Sequence, residues 1–123
     1  MIKRFALLAS LLALSFWVDG QTKNHIFVQY IDKYKSLAID QQRKHKVPAA
    51  ITIAQGLLES AAGTSELAQS SNNHFGIKCT SDWKGKTVSA DDDKADECFR
   101  RYADVSDSYE DHSLFLLRPR YES

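Results

Sequence analysis

Glu59 is the only charged side chain between Lys46 and Glu66, within an apolar and small-residue run from Val47 to Gly63. A carboxylate on a helix of that composition is costly to bury unless something uses it. Partial burial favours the neutral form of a carboxyl group, which suits it to act as a general acid. Thr52, Gln55 and Glu59 stand at i, i+3 and i+7, so they share one helical face. Gly56 borders that face and lets another group approach the backbone closely. The pattern predicts the floor of a cleft with one acid in it. It equally fits a polar stripe that meets water.

Other residue types with chemical potential lie downstream. Asp91, Asp92 and Asp93 open an acidic stretch that ends at Glu97. It supplies further carboxylates, or it is a solvated hairpin tip. Cys79 and Cys98 are the two cysteines. An even count in an exported chain suggests a disulfide, which chain entropy values at about 3 kcal/mol for a loop of this order. A zinc site from these cysteines with His74 and His112 lacks a tight ligand pair such as C-x-x-C and is disfavoured. A thiol hydrolase using Cys98 and His112 is disfavoured by export and by the expected disulfide.

The elements that must position these groups follow from periodicity and punctuation. Phe27, Tyr30, Ile31, Tyr34, Leu37, Ala38 and Gln41 keep helical spacing, so a helix of about twenty residues ending before Pro48 is expected. A second helix begins with Pro48 at its first position and stops before Gly63. It is apolar on almost every side and is expected to be central. Thr64 or Ser65 can cap a short helix through Gln69, with Glu66 near its positive end. Ser70 to Asn73 is turn chemistry, and His74 to Lys78 reads as a short extended segment bent at Gly76. Trp83 to Val88 and Cys98 to Tyr102 read as strands of a small hairpin lobe. Ser106 can cap the last helix, with Tyr109, His112, Phe115 and Leu116 on its inner face and Pro119 stopping it. His112 there is expected to be a hydrogen-bonded, half-buried histidine rather than a catalytic one.

The first twenty residues read as a secretory signal: a basic start at Lys3 and Arg4, an uncharged stretch from Phe5 to Val18, and a cleavage region ending at Gly20. That stretch is short of the ~20 residues needed to span a bilayer. The chain is therefore expected to be exported, periplasmic or secreted, with no stable membrane span after cleavage. Residues 21–123 then form one domain. Removing Lys3, Arg4 and Asp19 takes 16 basic and 16 acidic residues to 14 and 15. That balance makes no electrostatic case for nucleic acid or an anionic membrane as partner.

Several stretches together resemble the bacterial cell-wall glucosaminidases, the family-73 glycoside hydrolases. They are Ala54-Gln55-Gly56-Leu57-Leu58-Glu59-Ser60, Gly63-Thr64-Ser65-Glu66-Leu67-Ala68, Asn73-His74-Phe75-Gly76-Ile77-Lys78, Trp83-Lys84-Gly85 and Phe99-Arg100-Arg101-Tyr102. The likeness runs from about His25 to Tyr121. It is strongest to forms with Asn-Asn-His-Phe-Gly-Ile-Lys-Cys and a second cysteine before Phe-Arg, seen in exported bacterial proteins. It implies a mainly α, lysozyme-like fold with a small disulfide-tied β-hairpin lobe, an α+β arrangement. It implies peptidoglycan glycan strands as partner and no cofactor. Glu59 matches the family's catalytic acid. The family's second acid sits in the β lobe as a glutamate. Here the corresponding place holds aspartates, Asp93 as first choice and Asp92 as second. The substrate's acetamido group is the alternative nucleophile.

The same likeness suggests a sugar groove near Glu59. Gln55 lies on its floor. Phe75 and Trp83 are candidate stacking platforms, with Tyr102 and Tyr121 behind them. Core packing is the competing role for Phe75 and Tyr102. Asn73 either binds an acetamido or hydroxyl group or holds a turn. The family's domain continues past the point matching Ser123, so the domain is expected to be incomplete at its C-terminal end. The rival activities are a muramidase or lytic transglycosylase on the same fold. The rival of another class is a non-catalytic wall-binding module.

Overall fold

The computed structural model describes the backbone of residues 2–119 and the side chains of residues 24–119. The element order is α1 (Ile2–His45), α2 (Ala49–Glu59), α3 (Glu66–Ser71), β1 (Thr87–Ala90), β2 (Glu97–Arg100) and α4 (Val105–Leu116). The fold is mainly helical with a small disulfide-tied hairpin, as implied. The helix expected over Phe27 to Gln41 is part of α1, which runs unbroken through the boundary expected at Gly20. Tyr121 lies outside the described residues.

α1 turns Tyr30, Tyr34, Leu37, Ala38 and Gln41 inward, whereas Phe27 and Ile31 of the expected stripe are exposed. Lys46, at φ 62°, reverses the chain. Pro48 stands one position earlier than expected, as the residue before α2, and its carbonyl accepts from Ile51 and Thr52. α2 ends at Glu59, well short of Gly63, because three successive residues adopt left-handed backbone: Ala61, Ala62 and Gly63. The Ser60 hydroxyl holds that turn, donating to the Gly56 carbonyl and accepting from Gly63 N–H at 2.8 Å.

α2 is not central. Thr52 and Gly56 are buried on its inner side, but Ile51 and Leu58 are 50% and 73% exposed. Among the described residues nothing covers that outer face, so apolar composition on all sides did not translate into burial. The core is a cluster of Ala38, Phe75, Ile77 and Tyr109, flanked by Tyr34, Leu37, Ala49, Ile53 and Val105. It sits where α1, α2 and α4 converge.

Ser65 caps α3, its hydroxyl accepting from Ala68 N–H at 3.1 Å. The helix runs through Ser70 and Ser71, two residues expected in the following turn, and ends at left-handed Asn72. His74 to Lys78 is a tight turn rather than an extended segment. Asn73 builds it: its amide nitrogen donates to Ile77 and Arg100 carbonyls, both at 2.9 Å, and its carbonyl accepts from Ile77 N–H. Only Lys78 pairs with a strand residue, Phe99.

β1 and β2 are antiparallel, with Thr87 opposite Arg100 and Ala90 opposite Glu97. The strands are shorter than expected: Trp83 to Lys86 lie outside the strand, with a bend at Gly85 that lets the Trp83 indole fold back, since a Cβ there would lie 2.3 Å from its ring. Cys79 and Cys98 form the expected disulfide. Asp104, not Ser106, caps α4: its carboxylate accepts from Ser106 N–H at 2.8 Å. The last helical residue is Leu116, three before Pro119. Tyr109 and His112 face inward as expected, but Ser108 and Ser113 accompany them, and Phe115 and Leu116 are partly exposed.

Candidate active site

Three elements meet at an open cleft of about 350 Å³. α2 contributes Gln55 and Glu59, the Asn73-built turn contributes Phe75, Gly76 and Lys78, and α4 contributes His112, Phe115 and Leu116. Glu59 is the last residue of α2. Its Oε2 lies 3.9 Å from where a Cβ on Gly76 would be, and Gly76 has φ 62°. The carboxylate therefore lies over bare backbone, in a conformation that other residues adopt only under strain. Glu59 is exposed. The burial expected to surround it is not found, because the cleft that it lines is open.

The depth of α2 beneath the cleft is set by Gly56. A Cβ there would stand 2.8 Å from the Tyr30 hydroxyl and 2.9 Å from that of Tyr109. Those hydroxyls bond each other at 2.8 Å, and Tyr30 also bonds His74 Nδ1 at 2.8 Å. Burial, with a smaller push from Lys33, lowers the His74 pKa to about 4, so the ring is neutral at ordinary pH. Burial raises both tyrosine hydroxyls above their usual range. The close approach expected at Gly56 is thus made by two core tyrosines.

The opposite wall is held by Arg100, 2% exposed. Its guanidinium donates to the Lys78 carbonyl at 3.1 Å, the Thr80 hydroxyl at 2.8 Å and Asp111 at 2.9 Å. Asp111 also accepts from the Tyr102 hydroxyl. The Lys78 ammonium reaches from this wall to the hairpin, 3.0 Å from Glu97 and 3.6 Å from Asp92. The Glu97 hydrogen bond is the main reason that its pKa is raised.

The candidate residues are thus dispersed. Glu59, Gln55 and Phe75 share the cleft. Phe75 is 8% exposed, stacked on His112 and edge-on to Tyr109, so most of its ring is core. Asn73 is 2% exposed and its amide is engaged by the Ile77 backbone of its own turn and by the Arg100 carbonyl of β2. Trp83 and Tyr102 line a separate depression with Asn72, Lys86 and Arg101. The Trp83 ring lies against the Arg100 guanidinium, 4.6 Å away. Asp92 touches Lys78, while Asp93 stands exposed at the hairpin tip. Lys78 and Thr80 escaped the sequence reading as cleft residues; the signal for Lys78 was its place two residues after Gly76. Among the described residues no cluster of side chains is arranged to hold a metal ion, and no helix is long and apolar enough to cross a membrane.

Residues 35–123 match the family described as Glucosaminidase, mannosyl-glycoprotein endo-beta-N-acetylglucosaminidase. The chain is 35% identical over 97 residues to the exo-glucosaminidase LytG of Bacillus subtilis (strain 168), a match covering 72% of this chain and 34% of that protein. It thus spans about a third of that relative's length. The structure is similar to the catalytic domain of the autolysin Auto from Listeria monocytogenes, with TM-score 0.66, 30% identity, and coverage of 80% of this chain and 60% of that one. It is likewise similar to a peptidoglycan hydrolase from Sphingomonas sp. A1, with TM-score 0.66, 31% identity, and coverage of 76% and 64%.

Proposed function

The chain belongs to the glucosaminidase family, and on that footing we propose that it hydrolyses β-1,4 glycosidic bonds of N-acetylglucosamine in bacterial peptidoglycan, with Glu59 as general acid. The observation that carries this reading is the Glu59 carboxylate at the mouth of an open cleft, lying over the unobstructed backbone of Gly76. A sugar chain laid in that cleft meets a proton donor from the α2 side. Glu59 donates its proton to the glycosidic oxygen as the bond to C1 breaks, and the bonding electrons leave with that oxygen. Water then adds to C1 and gives up a proton, completing hydrolysis.

The positive charge that develops on the sugar calls for a second group. Asp92 and Asp93 on the hairpin remain the candidates. The contact of Asp92 with Lys78, a cleft residue, favours Asp92. The acetamido group of the substrate is the alternative nucleophile. A wall substrate accords with export to the periplasm or beyond, after removal of residues 1–20.

The test is product analysis on purified peptidoglycan. The wild-type chain should release reducing ends, and Glu59→Gln should lower the rate by about 10²–10⁴-fold with the circular dichroism spectrum retained. Full activity in Glu59→Gln rules the assignment out. Mass spectrometry of the new terminal sugar separates N-acetylglucosamine, expected here, from the muramic or anhydro ends of the rival activities. Binding without release identifies a wall-binding module instead.

A further inference from the structure

Gln55 and His112 form a pair in the cleft that the proton-transfer chemistry does not use. His112 Nε2 lies 2.8 Å from Gln55 Oε1. The imidazole stacks on Phe75, with ring centroids 4.0 Å apart and planes 15° from parallel. Its other nitrogen, Nδ1, is buried and has no hydrogen-bond partner among the described residues. A proton on Nδ1 would therefore be a buried donor with nothing to receive it, the rarest and costliest state for such a group. A bare lone pair there is cheaper. Burial also lowers the His112 pKa to about 4, which keeps the ring neutral at ordinary pH. The one proton then sits on Nε2 and is donated to the Gln55 carbonyl oxygen.

That assignment orients the glutamine. With its carbonyl tied to His112, the Gln55 side chain turns its NH2 group outward, and this nitrogen has no partner among the described residues. Gln55 is exposed and precedes Glu59 by one helical turn, so its amide lies on the same face as the acid. We propose that Gln55 is a specificity-determining residue, held by His112 so that its amide donates to the acetamido carbonyl oxygen of the sugar beside Glu59. His112 is the positioning residue of the pair. A glutamine free to rotate would offer donor or acceptor indifferently. Fixed in this way, it offers a donor alone and favours a substrate that presents an acceptor over a de-N-acetylated sugar, whose ammonium presents only donors.

This inference deepens the glucosaminidase reading and rests on it for the choice of ligand, but its test does not require turnover. Nitrogen NMR of the wild-type chain at pH 7 should show His112 as the neutral Nε2–H tautomer. The Nδ1–H tautomer would mean that the Gln55 amide donates to His112 and the carbonyl faces the cleft, which overturns the proposal. Binding is then measured by calorimetry with N-acetylglucosamine oligosaccharide and its de-N-acetylated counterpart, in a Glu59→Gln background. The ratio of the two affinities should fall about fivefold in Gln55→Met, the size expected for one lost hydrogen bond. In His112→Phe, which keeps a ring against Phe75, it should fall in the same direction. An unchanged ratio in Gln55→Met, or no binding of the acetylated oligosaccharide by the Glu59→Gln chain, refutes it. If this chain binds and discriminates while the wild type releases no reducing ends, the hydrolase reading fails and this one stands.

Discussion

At the scale of single residues, Gly56 decides how the cleft floor sits. The two tyrosine hydroxyls below it leave no room for a methyl group, and they are locked to each other and to His74. Gly56→Ala should therefore lower the unfolding free energy by about 1–3 kcal/mol, the usual cost of overpacking a tight core, despite the higher helix propensity of alanine. Chemical denaturation measures this, and a neutral or stabilised variant would show that the tyrosines can shift. Gly76 has a different role: its positive φ of 62° is strained for any residue with a side chain, whereas a Cβ there would meet Glu59 only at contact distance, 3.9 Å. Sequence singled out Glu59 by its isolation. It also assigned His112 a half-buried, hydrogen-bonded role, and the ring is in fact bonded to Gln55. What residue types alone did not convey was Phe75's engagement with His112 and Tyr109, since an aromatic looks the same as core or as platform.

At the scale of elements, the hairpin owes its position to Arg100 and to the disulfide rather than to strand length, each strand being four residues long. Arg100 joins the hairpin to α4 through Asp111 and to the cleft wall through Lys78 and Thr80. Asp111→Ala leaves a guanidinium that is 2% exposed without its carboxylate. It should cost about 3–5 kcal/mol, as removal of one partner from a buried pair does, read as a fall in the urea midpoint. A loss below 1 kcal/mol would mean that solvent reaches Arg100. The loop closed by Cys79 and Cys98 spans 19 residues in sequence separation. Its reduction should lower stability by about 3 kcal/mol, and equal melting curves with and without reductant would contradict that. Element existence was legible from periodicity, but the ends were displaced: α2 stops at three left-handed residues, and Asp104 outcompetes Ser106 as cap. Capping depends on which oxygen reaches the free N–H groups, and two neighbouring candidates differ only in backbone angle.

At the scale of the whole molecule, acid sensitivity follows from two buried histidines. His74 and His112 have pKa values near 4 in the fold, against 6.5 for the unperturbed ring. Above pH 6.5 both states are neutral and the histidines exert no pH dependence. Between 6.5 and about 4 the unfolded chain takes up protons that the folded chain refuses, so stability falls as pH falls. Below about 4 both states are protonated and this contribution levels off. Glu110 acts in the same direction lower down. The hydrogen bond from His45, then that from Gln41, depresses its pKa, so the stability that it adds above the usual glutamate range is lost as pH falls through the lowered value. The melting temperature should therefore drop between pH 7 and pH 4, and the slope should be smaller in His112→Phe. A flat profile over that interval would mean that both rings take up protons inside the fold.

The amino-acid order by itself determined the helical character, the disulfide-tied lobe and the resemblance of its motifs to a wall-cleaving family, because periodicity, cysteine pairing and short motifs are local properties. Tertiary structure alone decided which of the named residues meet. Glu59, Gln55 and Phe75 share one cleft, whereas Trp83 and Tyr102 face another, separated by the Arg100 guanidinium. It also decided that Glu59 is exposed and that, among the described residues, the outer face of α2 is open. Burial is a property of what packs against a helix, and that partner is specified by contacts between distant parts of a chain, which no reading of one segment contains.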